Sequence, residues 1–367
     1  MNVSRRSYRN LEHSTRGTAA ILVLDYLPNL RVEFRDRVRV GLNMMDPDTF
    51  LPHVGLWCWF NLDDSEYAET GLLTMLFLRT SGAVQPAARF IQEAVDAFGA
   101  EPLVERFIKD AKNPLIPWRH VRVSLGLLSI FTLHPAFVPL AASGRYNLLR
   151  VFADTAARSL RDASPGDAWD VWLECFLFLQ QRFNLMNDAL RSGPLATPSI
   201  LPGKDIVSLL GCGIQLFIRE PSKDTTNLGY YNGPTQMLIQ LVQKCKKKPG
   251  QHTDDLRRDV SKGAHASWYP TLRLLRSEQQ RSFPGLGKPL QDLIQLWTSL
   301  GTEVGLSELR ERDRYEREGL RHCAWKLCRY HIEKPESALS ACQGCGEARY
   351  CGRTCQTKFA VGVASRA

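Results

Sequence analysis

The chain has little that would build a sheet. In its 367 residues no stretch sustains an apolar/polar alternation of period two, and no Asn-Gly pair lies between two such runs. A strand-based body is therefore excluded. Enzyme signatures are equally scarce. There is no HExxH, and no His, Cys and acid are spaced so as to suggest a triad. Gly211-Cys212-Gly213 lacks the third glycine of a dinucleotide loop and follows no predicted strand. Gly285-Leu286-Gly287-Lys288-Pro289 lacks the four-residue gap and the hydroxyl residue of a phosphate loop, and Pro289 removes a backbone donor. A non-enzymatic protein is expected. Export signals are missing as well: the start, MNVSRRSYRN, is polar, and the apolar run 19–24 is short. Residues 123–144 carry no charge except at His134 and have the length of a membrane span, but His134-Pro135 and Pro139 interrupt them. Two short core helices are expected there, and no membrane partner.

What is present supports a large core. Hydrophobic residues make up 44% and charged residues 23% of the chain, an ordinary globular balance. The formal charge of +9 gathers at Lys244, Lys246–Lys248, Arg257, Arg258 and Lys262, and again over 310–321. Solvated faces explain both; the 244–262 cluster has no interleaved aromatic residue, and neither stretch carries a recognition motif. A nucleic-acid-associated regulator using 244–262 is the alternative, and it predicts an affinity that falls steeply with salt.

Helical punctuation fills the body. Pro86 opens a helix whose apolar positions Phe90, Ile91, Ala94, Val95 and Phe98 share a face, and Gly99 stops it. Further helices are expected over 101–112, 118–133, 146–160, 205–219 and 236–245. Ser164-Pro165-Gly166 reads as a turn. Trp172, Phe176, Leu179, Phe183, Met186 and Leu190 step by four and three, with Leu173 and Leu177 widening the face. Residues 253–278 read as two helices parted near 267–270. Leu290, Leu293, Ile294, Trp297 and Leu300 mark another helix, and 303–321 a charged one with Glu308/Arg312 and Asp313/Arg317 at i,i+4. The expected fold is all-α, a stacked array of the armadillo or HEAT type, although no repeat period is visible and an irregular bundle stays open. Cys58, in LWCWF, and Cys175 are expected as core thiols. The expected organisation is a basic arm at 1–17, a helical body at 18–302, a connector at 303–322 and a small metal-binding finger at 323–367.

Six of the ten cysteines fall in that last segment, as Cys323/Cys328, Cys342/Cys345 and Cys351/Cys355, spaced C-x4-C, C-x2-C and C-x3-C. A short loop between two thiolates lets both face one ion, and a structural Zn²⁺ takes four ligands. Two pairs complete one site and the third is left over. A disulfide knot would need an oxidising compartment, which nothing N-terminal suggests. Zinc in an intracellular protein, in cytoplasm or nucleus, is expected.

The order of these pairs, with Tyr350 before Cys351 and Gln356 after Cys355, resembles the MYND-type zinc finger over residues 323–367. The resemblance implies two interleaved zinc sites. Cys323, Cys328, Cys351 and Cys355 would hold the first, and Cys342 and Cys345 would be half of the second. It also implies protein–protein contact, with short proline-containing peptides as partners and Tyr350 and Gln356 as peptide-facing residues. The family pattern continues with Asp-Trp, His and Cys, where this chain reads Thr357-Lys358-Phe359-Ala360 with no later His or Cys. Three alternatives follow: an empty second site, one completed by His331 or His322, or a truncated product. The Asn-His-Ser-Cys stretch of methyltransferases that carry this finger is absent. A protein-interaction adaptor with a structural finger is expected, and an enzyme with its site in the helical body is the remaining alternative.

Overall fold

The structure is a computed structural model. It describes residues 56, 59, 60, 84–142, 145–192, 203–219, 229–247, 251–281, 287–319, 321–325, 328–331, 335, 337–342 and 348–364. The basic arm expected at 1–17 and Cys58 lie outside these residues. The fold is all-α: the described residues contain twelve α-helices and a single pair of two-residue strands.

The helices begin where proline and glycine allow. Helix α1 (Val84–Phe98) ends at Gly99, whose φ of 85° suits a residue without Cβ, and α2 (Ala100–Lys112) starts at once. Helix α3 (Trp118–Phe131) follows Pro117, and α4 (Val138–Ala142) is a single short turn. The apolar stretch 123–144 is thus split between two helices, and no helix among the described residues is long and apolar enough to cross a membrane. Helix α5 (Leu148–Asp162) is capped by Asn147, whose side chain accepts from the Arg150 N–H.

The expected turn at Ser164-Pro165-Gly166 is instead the start of α6 (Pro165–Ser192). Ser164 Oγ accepts from the Asp167 N–H at 3.2 Å and donates to its carboxylate at 2.7 Å, and Pro165 takes the first helical position. The expected face of α6 is buried at Trp172, Leu179, Phe183 and Met186, but it widens on the other flank than the one expected. Val171, Cys175 and Phe178 are fully buried, whereas Leu177 is 38% exposed.

Two other differences come from proline. Helix α7 (Gly203–Arg219) falls where expected, but α8 (Gly229–Lys247) starts seven residues early and contains Pro234. Tyr231 holds that first turn down, with its ring stacked on Trp172 at 6.1 Å and tilted on Phe217 at 5.1 Å. Helix α9 (Gln251–Arg281) runs unbroken through Pro270. Trp268 Nε1 donates to the Trp297 carbonyl at 2.7 Å, and Trp297 Nε1 donates back to the Trp268 carbonyl at 2.9 Å. This reciprocal pair clamps α9 to α10 (Gly287–Glu303) two residues from the proline. Packing outweighs the hydrogen bond that proline costs the helix.

Contacts run mainly between near neighbours. Helix α5 packs on α2, α6 and α7; α6 on α3, α5, α7 and α8; α7 on α9; α8 on α10. Such progression is quasi-one-dimensional, as a stacked array requires. Three arginines mark its register. Arg158 of α5 donates to the Ala111 and Lys112 carbonyls at the end of α2. Arg182 of α6 donates to the Thr132 carbonyl closing α3, and Arg219 of α7 to the Leu160 carbonyl near the end of α5. If the short α4 is passed over, each arginine caps the second helix before its own, satisfying carbonyls that a helix end leaves open.

The glycines of Gly211-Cys212-Gly213 serve the same packing. A Cβ on Gly211 would lie 3.0 Å from Thr271 Oγ1 of α9, and one on Gly213 would lie 2.3 Å from the Trp172 ring of α6. The pair lets α7 approach both neighbours closely.

Helix α11 (Glu308–Gly319) follows Gly305, whose φ is 83°. It is the charged connector, but Glu308 pairs with Arg276 of α9 rather than with Arg312. Glu311, 7% exposed, accepts from His265 at 2.9 Å and from Arg314 at 3.2 Å, so α11 is pinned along α9.

Candidate metal centre

Beyond α11 the chain forms a second, separate core around Cys323, Tyr350 and Cys355. Little regular structure supports it. Strands β1 (Ser340–Ala341) and β2 (Arg349–Tyr350) pair antiparallel, with Ser340 opposite Tyr350, and α12 (Arg353–Ala364) follows. Backbone bonds tie the knuckles together. The Cys323 N–H donates to the Tyr330 carbonyl at 2.8 Å, closing the first loop. The Ala324 N–H donates to the Arg349 carbonyl at 2.7 Å and so brings the first cysteine pair to the strand that delivers the last. The Cys342 N–H donates to the Ala348 carbonyl at 2.8 Å.

This framework gathers Cys323, Cys328, Cys351 and Cys355. Their four sulfurs lie within 4.8 Å of one another, and among the described residues no other group of three or more His, Cys, Asp or Glu could hold a metal ion. Cys328 Sγ is 3.5 Å from Cys351 Sγ, which is 3.4 Å from Cys355 Sγ. These separations are far longer than a disulfide bond of about 2.05 Å, and all four are free thiols. The arrangement can hold a metal ion through sulfur alone.

Electrostatics describe the same crowding. Burial, and then hydrogen bonds shared with Cys351, Cys328 and Cys323, push the Cys355 thiol far above the ordinary range. Burial raises Cys351 as well. At Cys328 burial acts in the same sense but is outweighed by the Tyr330 backbone N–H and the neighbouring thiols, which leave it below the usual value. Four adjacent sulfurs cannot all ionise without a cation between them. A bound divalent cation reverses that logic and deprotonates its thiols outright.

The other expected site residues are placed as follows. Cys342 is half-buried beside the finger core, and the Gln356 amide donates to its sulfur at 3.7 Å. Cys345 and the His331 side chain lie outside the described residues. His322 is half-buried, and its Nδ1 has no hydrogen-bond partner. Tyr350 is 2% exposed, so its ring belongs to the finger core rather than to its surface. Gln356 is half-buried and turned toward Cys342. One surface feature was not anticipated: Trp325, between the first two cysteines, is covered by Lys358 Nζ at 4.9 Å from the ring. The indole inside the first cysteine loop was the available signal for it.

The body supplies no comparable constellation among the described residues. Burial raises the Cys175 thiol well above its ordinary value, Cys212 to about 11, and Cys245 in the same direction, which leaves them inert. The basic cluster at 244–262 is largely occupied. Lys244 bonds Asn187, Lys246 pairs with Glu303, Arg257 with Asp254 and Arg258 with Asp255.

No protein-family model, no curated protein and no solved structure matches the chain.

Proposed function

We propose that this chain is a zinc-binding protein–protein interaction adaptor, a helical array carrying a structural finger of the MYND type. The observation that carries the reading is the convergence of the first and third cysteine pairs on one point while Cys342 stays apart. That interleaving is what the resemblance implies. Tetrahedral thiolate coordination of Zn²⁺ at about 2.3 Å places sulfurs about 3.8 Å apart, and separations of 3.4 and 3.5 Å with a maximum of 4.8 Å bracket that value. An all-sulfur tetrahedral donor set suits zinc or iron and excludes hard cations. Four protein ligands leave no open position, so the ion cross-links the segment and catalyses nothing. The pairing of the 244–262 cations with neighbouring groups supports a protein partner over nucleic acid. The buried Tyr350 ring and the inward Gln356 shift the expected contact surface toward Trp325 and the helical body.

Native mass spectrometry of the purified chain, with and without chelator, tests this. One zinc per chain is expected, its removal abolishing folded signal from the last fifty residues while the helical body persists. Two zincs would add a second site completed by His331 or another residue. A metal-free chain, or one carrying iron, would overturn the reading.

A further inference from the structure

The four sulfurs are unequal in a way that coordination alone does not require. Cys323 is fully buried and Cys355 is 8% exposed, whereas Cys328 and Cys351 are only half-buried. The sulfurs of these two less buried residues are 3.5 Å apart, on knuckles separated by 23 positions in the chain. We propose that Cys328 and Cys351 form a peroxide-sensitive pair whose conversion to a disulfide releases the metal. The proposal rests on the zinc reading above.

Backbone anchoring marks Cys351 as the member of the pair that moves, since the Cys328 N–H is held by the Trp325 carbonyl at 3.0 Å. The Cys323 N–H is held by the Tyr330 carbonyl, and Cys355 sits in the first turn of α12 with its N–H on the Gly352 carbonyl at 3.2 Å. Cys351 lies in the bend between β2 and α12, next to Gly352, around which a Cβ would meet nothing within 4 Å. Joining Cys328 to Cys351 requires the sulfurs to close by about 1.5 Å to reach a bond of about 2.05 Å, and the bend leaves Cys351 room to move. Cys355 is as near to Cys351, at 3.4 Å, but is buried and fixed in the helix.

The oxidant is a hydroperoxide, with hydrogen peroxide as the simplest member. One thiolate of the pair attacks the O–O bond to give a sulfenic acid and hydroxide. The second thiolate then displaces hydroxide from that sulfur and forms the S–S bond. Two electrons leave the sulfur pair, and the peroxide with two protons becomes two waters. Only Cys323 and Cys355 remain as ligands, too few for a structural zinc site. The cross-link keeps the first and third knuckles together, so a thiol reductant regenerates the full ligand set in place.

The experiment uses the metal-loaded full chain. Graded hydrogen peroxide is added, released zinc is read with a chromogenic chelator, and differential alkylation with peptide mass spectrometry maps each cysteine. One zinc released per Cys328–Cys351 disulfide is expected, with Cys323 and Cys355 recovered as thiols and re-uptake after dithiothreitol and added zinc. Release accompanied by a Cys351–Cys355 bridge, by any bridge to Cys323, or by sulfinic acid without a bridge would overturn the proposal. A chain purified without metal would defeat the zinc reading alone. The same mapping on that chain still decides the pair: a Cys328–Cys351 bridge supports it, and any other first bridge refutes it.

Discussion

His120 gives the body a calculable response to acid. Its ring is 1% exposed at the start of α3, and neither nitrogen has a protein hydrogen-bond partner. Burial first, and the neighbouring Arg119 charge second, lower its pKa from 6.5 to about 4. The sign follows from proton uptake. Between pH 4 and 6.5 the unfolded chain binds a proton at this position that the folded chain refuses, so stability is fully present above 6.5 and lost as pH falls. With these two values, moving from pH 7.5 to pH 5 removes about 2 kcal/mol through this residue alone. Other groups titrate over the same range, so the quantity to measure is the difference between the chain and its His120→Leu variant. Urea unfolding followed by tryptophan fluorescence at pH 7.5, 6.5, 5.5 and 5.0 supplies it. The variant is expected to gain on the parent by about 2 kcal/mol across that series. A difference that stays flat with pH would show that His120 is protonated in the folded state, or that water reaches its ring, and would refute the reasoning.

Two further outcomes test the packing. Gly213→Ala places a Cβ 2.3 Å from the Trp172 ring, which is itself stacked on Tyr231, and should cost about 1–3 kcal/mol in chemical denaturation. Gly166→Ala meets nothing within 4 Å and should gain up to about 1 kcal/mol from helix propensity; equal effects at the two sites would refute the close approach of α6 and α7. Arg158→Ala removes both carbonyl bonds at the end of α2 and the contact over Trp118, for an expected loss of about 1–2 kcal/mol. Arg145→Ala, which removes exposed ion pairs to Glu101 and Glu105 and an exposed contact over the Tyr146 ring, should stay below about 1 kcal/mol by the same thermal or urea assay.

The helices were legible because their punctuation is local. Pro117, Gly99 and the apolar stripe of α1 act within one or two turns, so a single pass along the chain finds them. The Ser164-Pro165-Gly166 turn failed locally, as a cap read for a break, whereas the failures at the other prolines share a distant cause. Pro234 and Pro270 read as breaks, but Tyr231, through Trp172 59 positions away, and the Trp268–Trp297 pair, 29 positions apart, lock their helices. The arginine caps were invisible for the same reason: Arg158, Arg182 and Arg219 reach carbonyls 46 to 59 positions back, across helices of unequal length. Helices of 13, 28 and 31 residues in one array erase any fixed period from the sequence while preserving the packing order. At the finger, short C-x4-C and C-x3-C loops made ligand pairing readable. Side-chain direction was not, and Tyr350 turned inward.

The finger has almost no core apart from its ligands. Among the described residues its buried members are Cys323, Tyr350 and Cys355, two of them in the sulfur cluster, and its strands are two residues long. Burial on that scale does not fold a segment of this size, so with a metal at the four cysteines, holding the ion and holding the fold would be one event. The body is built the opposite way: among the described residues its one large core cluster extends from Leu56 to Leu306 and includes none of the four cysteines. The two parts meet through α11, which Glu308 and Glu311 fasten to Arg276 and His265 of α9. A change at the cysteines, by chelation or oxidation, should therefore dissolve the finger up to the end of that connector and stop there, leaving the helical array intact. On the adaptor function proposed above, one contact surface would be gained or lost without unfolding the other.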